Sequence, residues 1–140
     1  MPVRQLITYP DQRVAQVAIE IDSIDQGVID TAQDLIDTLS STQGCLALSA
    51  PQIGVPLRMI AVSTKGAYIV VNPTISAKDA IVRVKERCFS YPGRVAEVER
   101  ADRIFLRGVS IEGAQVAAEV TGLESRLIQH AVDHLDGIVI

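Results

Sequence analysis

A chain of 140 residues with a formal net charge of −4 suits one domain, because that length buries most of the surface its unfolded form exposes. Apolar residues make up 48% of it, yet no run approaches the roughly 18 uninterrupted apolar residues that a membrane-spanning helix needs. The thirteen lysines and arginines are scattered, which excludes the basic stripe that follows a phosphate backbone and argues against direct nucleic-acid binding.

Met1-Pro2-Val3-Arg4-Gln5 runs straight into patterned sequence, without the apolar core and small-residue cleavage site of a secretory signal. A soluble, cytoplasmic protein is expected. Cys45 and Cys88 are expected to be separate thiols, since a lone disulfide does not suit a reducing compartment. No internal repeat or low-complexity segment interrupts residues 1–140, which read as a single continuous domain.

The first helix is predicted from Ser23, which with Gln26 has the spacing of a capping box. Ile24, Val28, Ala32, Leu35, Ile36 and Leu39 recur at helical spacing, leaving Asp25, Gln33, Asp34 and Asp37 outside, as far as about Ser40. From Leu57 the period changes: residues 57–62, 68–72, 81–85, 104–111 and 115–120 are short, β-branched runs that predict strands. Glu112-Gly113 joins the last two as a hairpin. Cys88-Phe89-Ser90-Tyr91-Pro92-Gly93 reads as a turn or irregular segment, which sets Cys88 at a strand's end. The second helix opens with Thr121 and Glu124, again at capping-box spacing, and Gly137 is its stop. Leu123, Leu127, His130 and His134 share one stripe of it. Helix, strands, then helix predicts an α+β domain, with antiparallel or mixed sheets around the C-terminal helix, rather than a βαβ array.

Residues four apart on a helix face the same way, so His130 and His134 can offer two imidazole nitrogens to one ion about 2 Å from each. Cys88 is the best third ligand, because a thiolate suits a borderline or soft divalent metal and a turn can aim it. Taken singly, the histidines read as an ordinary half-buried pair, Cys88 as a small buried hydrophobe and Gln52 as a solvent-facing turn residue. Both histidines of the chain occupy this one spacing, and the neighbouring motifs favour a metal site.

Three blocks, in this order, resemble the motifs of peptide deformylases: Leu48-Ser49-Ala50-Pro51-Gln52-Ile53-Gly54, Glu86-Arg87-Cys88-Phe89-Ser90 and Gln129-His130-Ala131-Val132-Asp133-His134. Tyr9-Pro10-Asp11, Tyr91-Pro92-Gly93 and Gly122-Leu123 extend the resemblance over most of the chain. It implies that Cys88, His130 and His134 bind one divalent metal with an open fourth position for water, usually ferrous iron, with zinc or nickel as substitutes. The implied substrate is the N-formyl group on the initiator methionine of nascent peptides. Gln52 and the backbone N–H of Phe89 match the donors to the developing oxyanion. Leu46, Val84, Leu123 and Leu127 match an apolar slot for the methionine side chain, although plain core packing explains each as well. Glu86 and Arg100 match charged positions that the family pairs near its metal, and Asp133 is expected either to accept from a ligand imidazole or to face solvent.

The departures are equally specific. The family has a glutamate directly after the first histidine as general base, where this chain has Ala131, and loss of that function is typically worth about 10² to 10⁴ in rate. A strongly impaired metallo-amidase is therefore expected. Two origins fit Ala131, a natural homologue that has abandoned catalysis or a deliberate Glu→Ala change, and retention of the ligands, Gln52 and Asp133 favours the second. Arg87 stands where the family has glycine, and Cys45 and Ala47 replace two glycines of the first motif, so the substrate groove is expected to differ. The C-terminal helix that many members dock on the ribosome does not follow Ile140, which fits either a compact version of the fold, such as a mobile element or phage carries, or weaker engagement of the ribosome. The expected protein is a monomer. A non-catalytic module binding metal and formyl-peptide is the competing reading. A purely structural metal domain ranks last, because it needs four protein ligands.

Overall fold

The computed structural model describes residues 3–138. Two helices flank one antiparallel sheet whose strands lie in chain order: β1 (Ala47–Ser49), β2 (Met59–Ser63), β3 (Ala67–Cys88), β4 (Tyr91–Val109) and β5 (Gln115–Thr121). The helices are α1 (Gln26–Ser41) and α2 (Gly122–Leu135), and short 3-10 turns span Gln12–Ala15 and Ala50–Ile53. The α+β expectation holds, with every strand pairing antiparallel. Among the described residues no helix is long and apolar enough to cross a membrane.

β2 explains the packing. Its successive side chains alternate, so Met59 and Ala61 meet α1 while Ile60 and Val62 meet the α2 side. In β3, Ile69 and Val71 join the first layer and Val70 the second. Leu35 and Leu39 of α1 fill one layer, and Ile128 and Leu135 of α2 fill the other. Such double-sided burial is why this part of the sequence is apolar without alternation.

α1 starts later than its sequence signal. Asp25, not Ser23, is the N-cap, its Oδ1 accepting from the N–H of Val28 at 3.0 Å. Asp34, expected outside, is buried because Arg4 reaches over it, with an N–O distance of 2.7 Å. The runs at 68–72 and 81–85 belong to one strand. The apparent break is a pair of register shifts between Val71 and Ala77, accompanied by positive φ at Asn72. The turn after Cys88 is only Phe89-Ser90, and β4 starts at Tyr91. Pro92 and Gly93 are therefore not an irregular connection; they lie in the bulge between the Cys88–Tyr91 and Arg87–Val95 pairs. The hairpin at Glu112-Gly113 forms as expected, with Gly113 N–H donating to Ser110 O at 2.9 Å.

α2 is fastened to β4 by side chains rather than by its cap. Gln129 clasps the backbone of Ala101, accepting from its N–H at 2.9 Å and donating to its carbonyl at 2.7 Å, and the Ser125 hydroxyl donates to the same carbonyl at 2.8 Å. Thr121 makes no side-chain cap bond; Glu124 instead accepts from the Tyr68 hydroxyl. Gly137 ends the helix as the sequence predicts. With φ of 78° its N–H donates to His134 O at 3.1 Å, while the N–H of Ile138 reaches Asp133 O at 2.9 Å, a Schellman closure.

Candidate metal centre

The β3–β4 hairpin, closed by Phe89-Ser90, and α2 bring three donors together. Cys88, the last residue of β3, is buried, and the turn that follows aims its Sγ at α2. One ligand atom from each of Cys88, His130 and His134 lies within 4.8 Å of the others, and Cys88 Sγ is 3.0 Å from His134 Nε2. The imidazole centroids are 5.1 Å apart, as helical i, i+4 spacing dictates.

Ligation needs a thiolate and neutral imidazoles; the cluster supplies the thiolate, and His130 gives up a proton when it ligates. Burial pushes the Cys88 thiol up, but hydrogen bonds from His130 and His134 more than offset it and bring the pKa to about 6. Burial likewise opposes a charged His130, yet Cys88 and Glu86 beside it raise its pKa to about 9. These values hold without an ion and describe a poised thiolate–imidazolium cluster. One sulfur and two nitrogens converging from two elements fit a divalent transition metal. His134 is wholly buried, and its Nδ1 has no hydrogen-bond partner among the described residues.

A buried ion-pair network fixes His130. Its Nδ1 lies 2.8 Å from Glu86 Oε1, which leaves Nε2 for the centre. Glu86 in turn takes both arms of the Arg100 guanidinium, at 2.9 and 2.8 Å. Burial alone would raise the Glu86 carboxyl, but His130 and Arg100 hold it down at about 2. Glu86 and Arg100 thus pair, as the resemblance implies. Asp133 does neither of the things expected of it; it accepts from Arg100 Nη1 at 2.6 Å and completes the fork.

Beside the donors lies a cavity of about 370 Å³, lined by Leu46, Val84, Leu123, Leu127 and Phe89 together with Gln52, Cys88 and His130. All four residues expected to form the apolar slot are on its wall. Gln52 is buried rather than solvent-facing: its Oε1 accepts from both the N–H and hydroxyl of Ser49 at 3.0 Å, and its Nε2 donates to Ser90 Oγ at 3.2 Å. Sequence reasoning missed Ser49 and Ser90 as the residues that orient this amide. Ser49-x-x-Gln52 has capping-box spacing and carried the signal for the first.

Ala131 is 1% exposed, packed in the apolar layer between α2 and the sheet. Among the described residues the only carboxylate lining the cavity is Glu86, already committed to Arg100 and His130. Cys45 is a packing residue, as expected. It is buried, donates to Ala47 O at 3.3 Å, and burial pushes its thiol up to about 11.

The wider likeness is consistent with this geometry. The profile of the polypeptide deformylase family matches residues 3–140. The chain is 39% identical over 142 residues to the peptide deformylase of Desulforudis audaxviator, spanning 99% of this chain and 92% of that one. It superposes with a TM-score of 0.93 and 30% identity on the Ehrlichia chaffeensis peptide deformylase in complex with actinonin, covering 99% of this chain and 87% of that one. The Thermotoga maritima peptide deformylase gives 0.93 and 28%, covering 99% and 95%. With the motifs, the architecture and the donor cluster all in register, the chain belongs to the polypeptide deformylase family.

Proposed function

We propose that this chain is a metal-dependent amidase fold directed at the N-formyl group of the initiator methionine of nascent peptides, with hydrolysis severely impaired by Ala131. The observation that carries this reading is the cavity beside Cys88, His130 and His134, which has Leu46, Val84, Leu123 and Leu127 on its wall and, among the described residues, no uncommitted carboxylate. An ion held by those three residues supplies Lewis-acid polarisation of the formyl carbonyl. Ferrous iron is the physiological choice, and zinc or nickel fits the same sulfur and nitrogen donors.

The chain's own groups do the rest. Gln52, its amide held by Ser49 and Ser90, turns an N–H toward the developing oxyanion, and the Phe89 N–H is the second donor. Leu46, Val84, Leu123 and Leu127 receive the methionine side chain and exclude water around it. Glu86 and Arg100 hold His130 in one tautomer and orientation. The missing part is a group to take the proton of the attacking water and return it to the leaving amine. Ala131 can do neither, at a cost of about 10² to 10⁴ in rate. The protein acts in the cytoplasm as a monomer.

Formate release from a formyl-Met peptide tests this, comparing anaerobically purified, iron-loaded protein with its Ala131→Glu form. Turnover by the glutamate form alone is the expected result. Were neither form active with metal bound stoichiometrically, the second reading would stand: a module that binds metal and formyl-peptide without chemistry. The commitment of Glu86 to Arg100 is the observation that favours that alternative.

A further inference from the structure

We infer that Lys85 and Arg87 form a carboxylate-selecting rim on the cavity, giving this chain a preference for formyl-methionyl peptides that carry a negative charge beyond the methionine. This rests on the formyl-peptide reading above and adds a specificity to it.

From Thr74 to Cys88, β3 is paired with β4 alone. Side chains alternate along a strand, so Val84, Glu86 and Cys88 share one face while Lys85 and Arg87 share the other. All five line the cavity, so this stretch of strand runs along the cavity mouth. Glu86 and Cys88 are turned inward to the donor cluster, whereas Lys85 and Arg87 are exposed.

Lys85 faces Glu97 across the ladder, but Glu97 is held by Arg83 at 2.7 Å, and Arg87 faces Val95. Among the described residues neither Lys85 nor Arg87 has an ion-pair partner within 4.0 Å. A third cation of the wall, Arg126, is paired with Asp102 at 3.2 Å. Glu86, the sole acid on the wall among the described residues, is paired with Arg100. A chain of net charge −4 therefore presents a locally positive mouth over an apolar floor.

Ligand charge within about 8 Å of those side chains feels them at physiological salt, and a low-dielectric wall focuses the field. Exposed pairs are individually weak, so two of them amount to about a three- to ten-fold gain in affinity. The carboxylate has two sources, an acidic side chain or the free C-terminus of a short formylated peptide.

Calorimetric titration of zinc-reconstituted protein separates them. The ligands are formyl-Met-Ala-Ala amide, formyl-Met-Ala-Asp amide and formyl-Met-Ala-Ala free acid. Tighter binding of the Asp amide assigns the side chain, and tighter binding of the free acid assigns the chain terminus; either supports the rim. The preference should fade toward parity near 1 M salt and in the double variant Lys85→Gln, Arg87→Gln. Equal affinities for all three peptides would overturn the rim while leaving formyl-peptide binding intact, as would a preference that survives the double substitution. Binding of none of them would overturn the formyl-peptide reading itself, and the rim with it.

Discussion

Replacing Glu86 by alanine tests the centre without touching a metal ligand. The carboxylate, 14% exposed at its side chain, makes two bonds to the Arg100 guanidinium, at 2.9 and 2.8 Å, and lies 2.8 Å from His130 Nδ1. Its loss leaves Arg100, 7% exposed, with Asp133 alone, and leaves the imidazole without a fixed partner. Breaking a buried pair from one side costs about 3–5 kcal/mol, and the remaining Asp133 puts this case at about 3 kcal/mol. An unfolding entropy of about 0.3 kcal/mol/K for a chain this long converts that into a fall in Tm of about 10 °C for metal-free protein. Zinc affinity should weaken by about 10- to 100-fold, because the ring is no longer held for ligation. Scanning calorimetry and chelator competition measure the two effects. Glu86→Gln, which keeps an acceptor for His130 but drops the charge, should fall between. If the alanine form melts within about 3 °C of the parent and holds zinc within about two-fold, the network does not support the site.

Two further outcomes follow from geometry elsewhere. Gly137→Ala should destabilise by about 2 kcal/mol, because φ is 78° and a Cβ there would sit 2.6 Å from the Ala15 carbonyl oxygen; an unchanged melting curve would contradict the closure described for α2. In metal-free native protein at pH 8, iodoacetamide should label Cys88, whose thiol lies at about 6, and spare Cys45, pushed up to about 11. Zinc should protect Cys88, and mass spectrometry that finds native Cys45 labelled would refute its assignment as packing.

What could be read in advance was what is encoded over a few residues. His130 and His134 share a helical face whatever the rest of the chain does, and Cys88 ends a strand because a two-residue turn follows it. Long-range contacts decided the remainder. Asp34 is an acid on a helix whose burial depends on Arg4, thirty residues away. Gln52 is drawn inside by Ser90, 38 positions further along the chain. The three-residue strand β1 is too short to carry a period, and the outer half of β3, exposed on both faces, has no buried alternation to imprint on composition. Pro92 and Gly93 misled because a bulge and a turn call for the same residues.

The separation of the donors along the chain has a kinetic side. Cys88 and His134 are 46 positions apart, and the Glu86 contact to His130 spans 44. The β3–β4 hairpin can zip outward from Phe89-Ser90 on a microsecond scale, but the donor cluster closes only when α2 docks, and that closure carries the entropy of a long loop. An ion arriving during collapse therefore meets no preformed site. Metal loading should act on the far side of the folding barrier, slowing escape from the native state while leaving the rate of reaching it nearly unchanged.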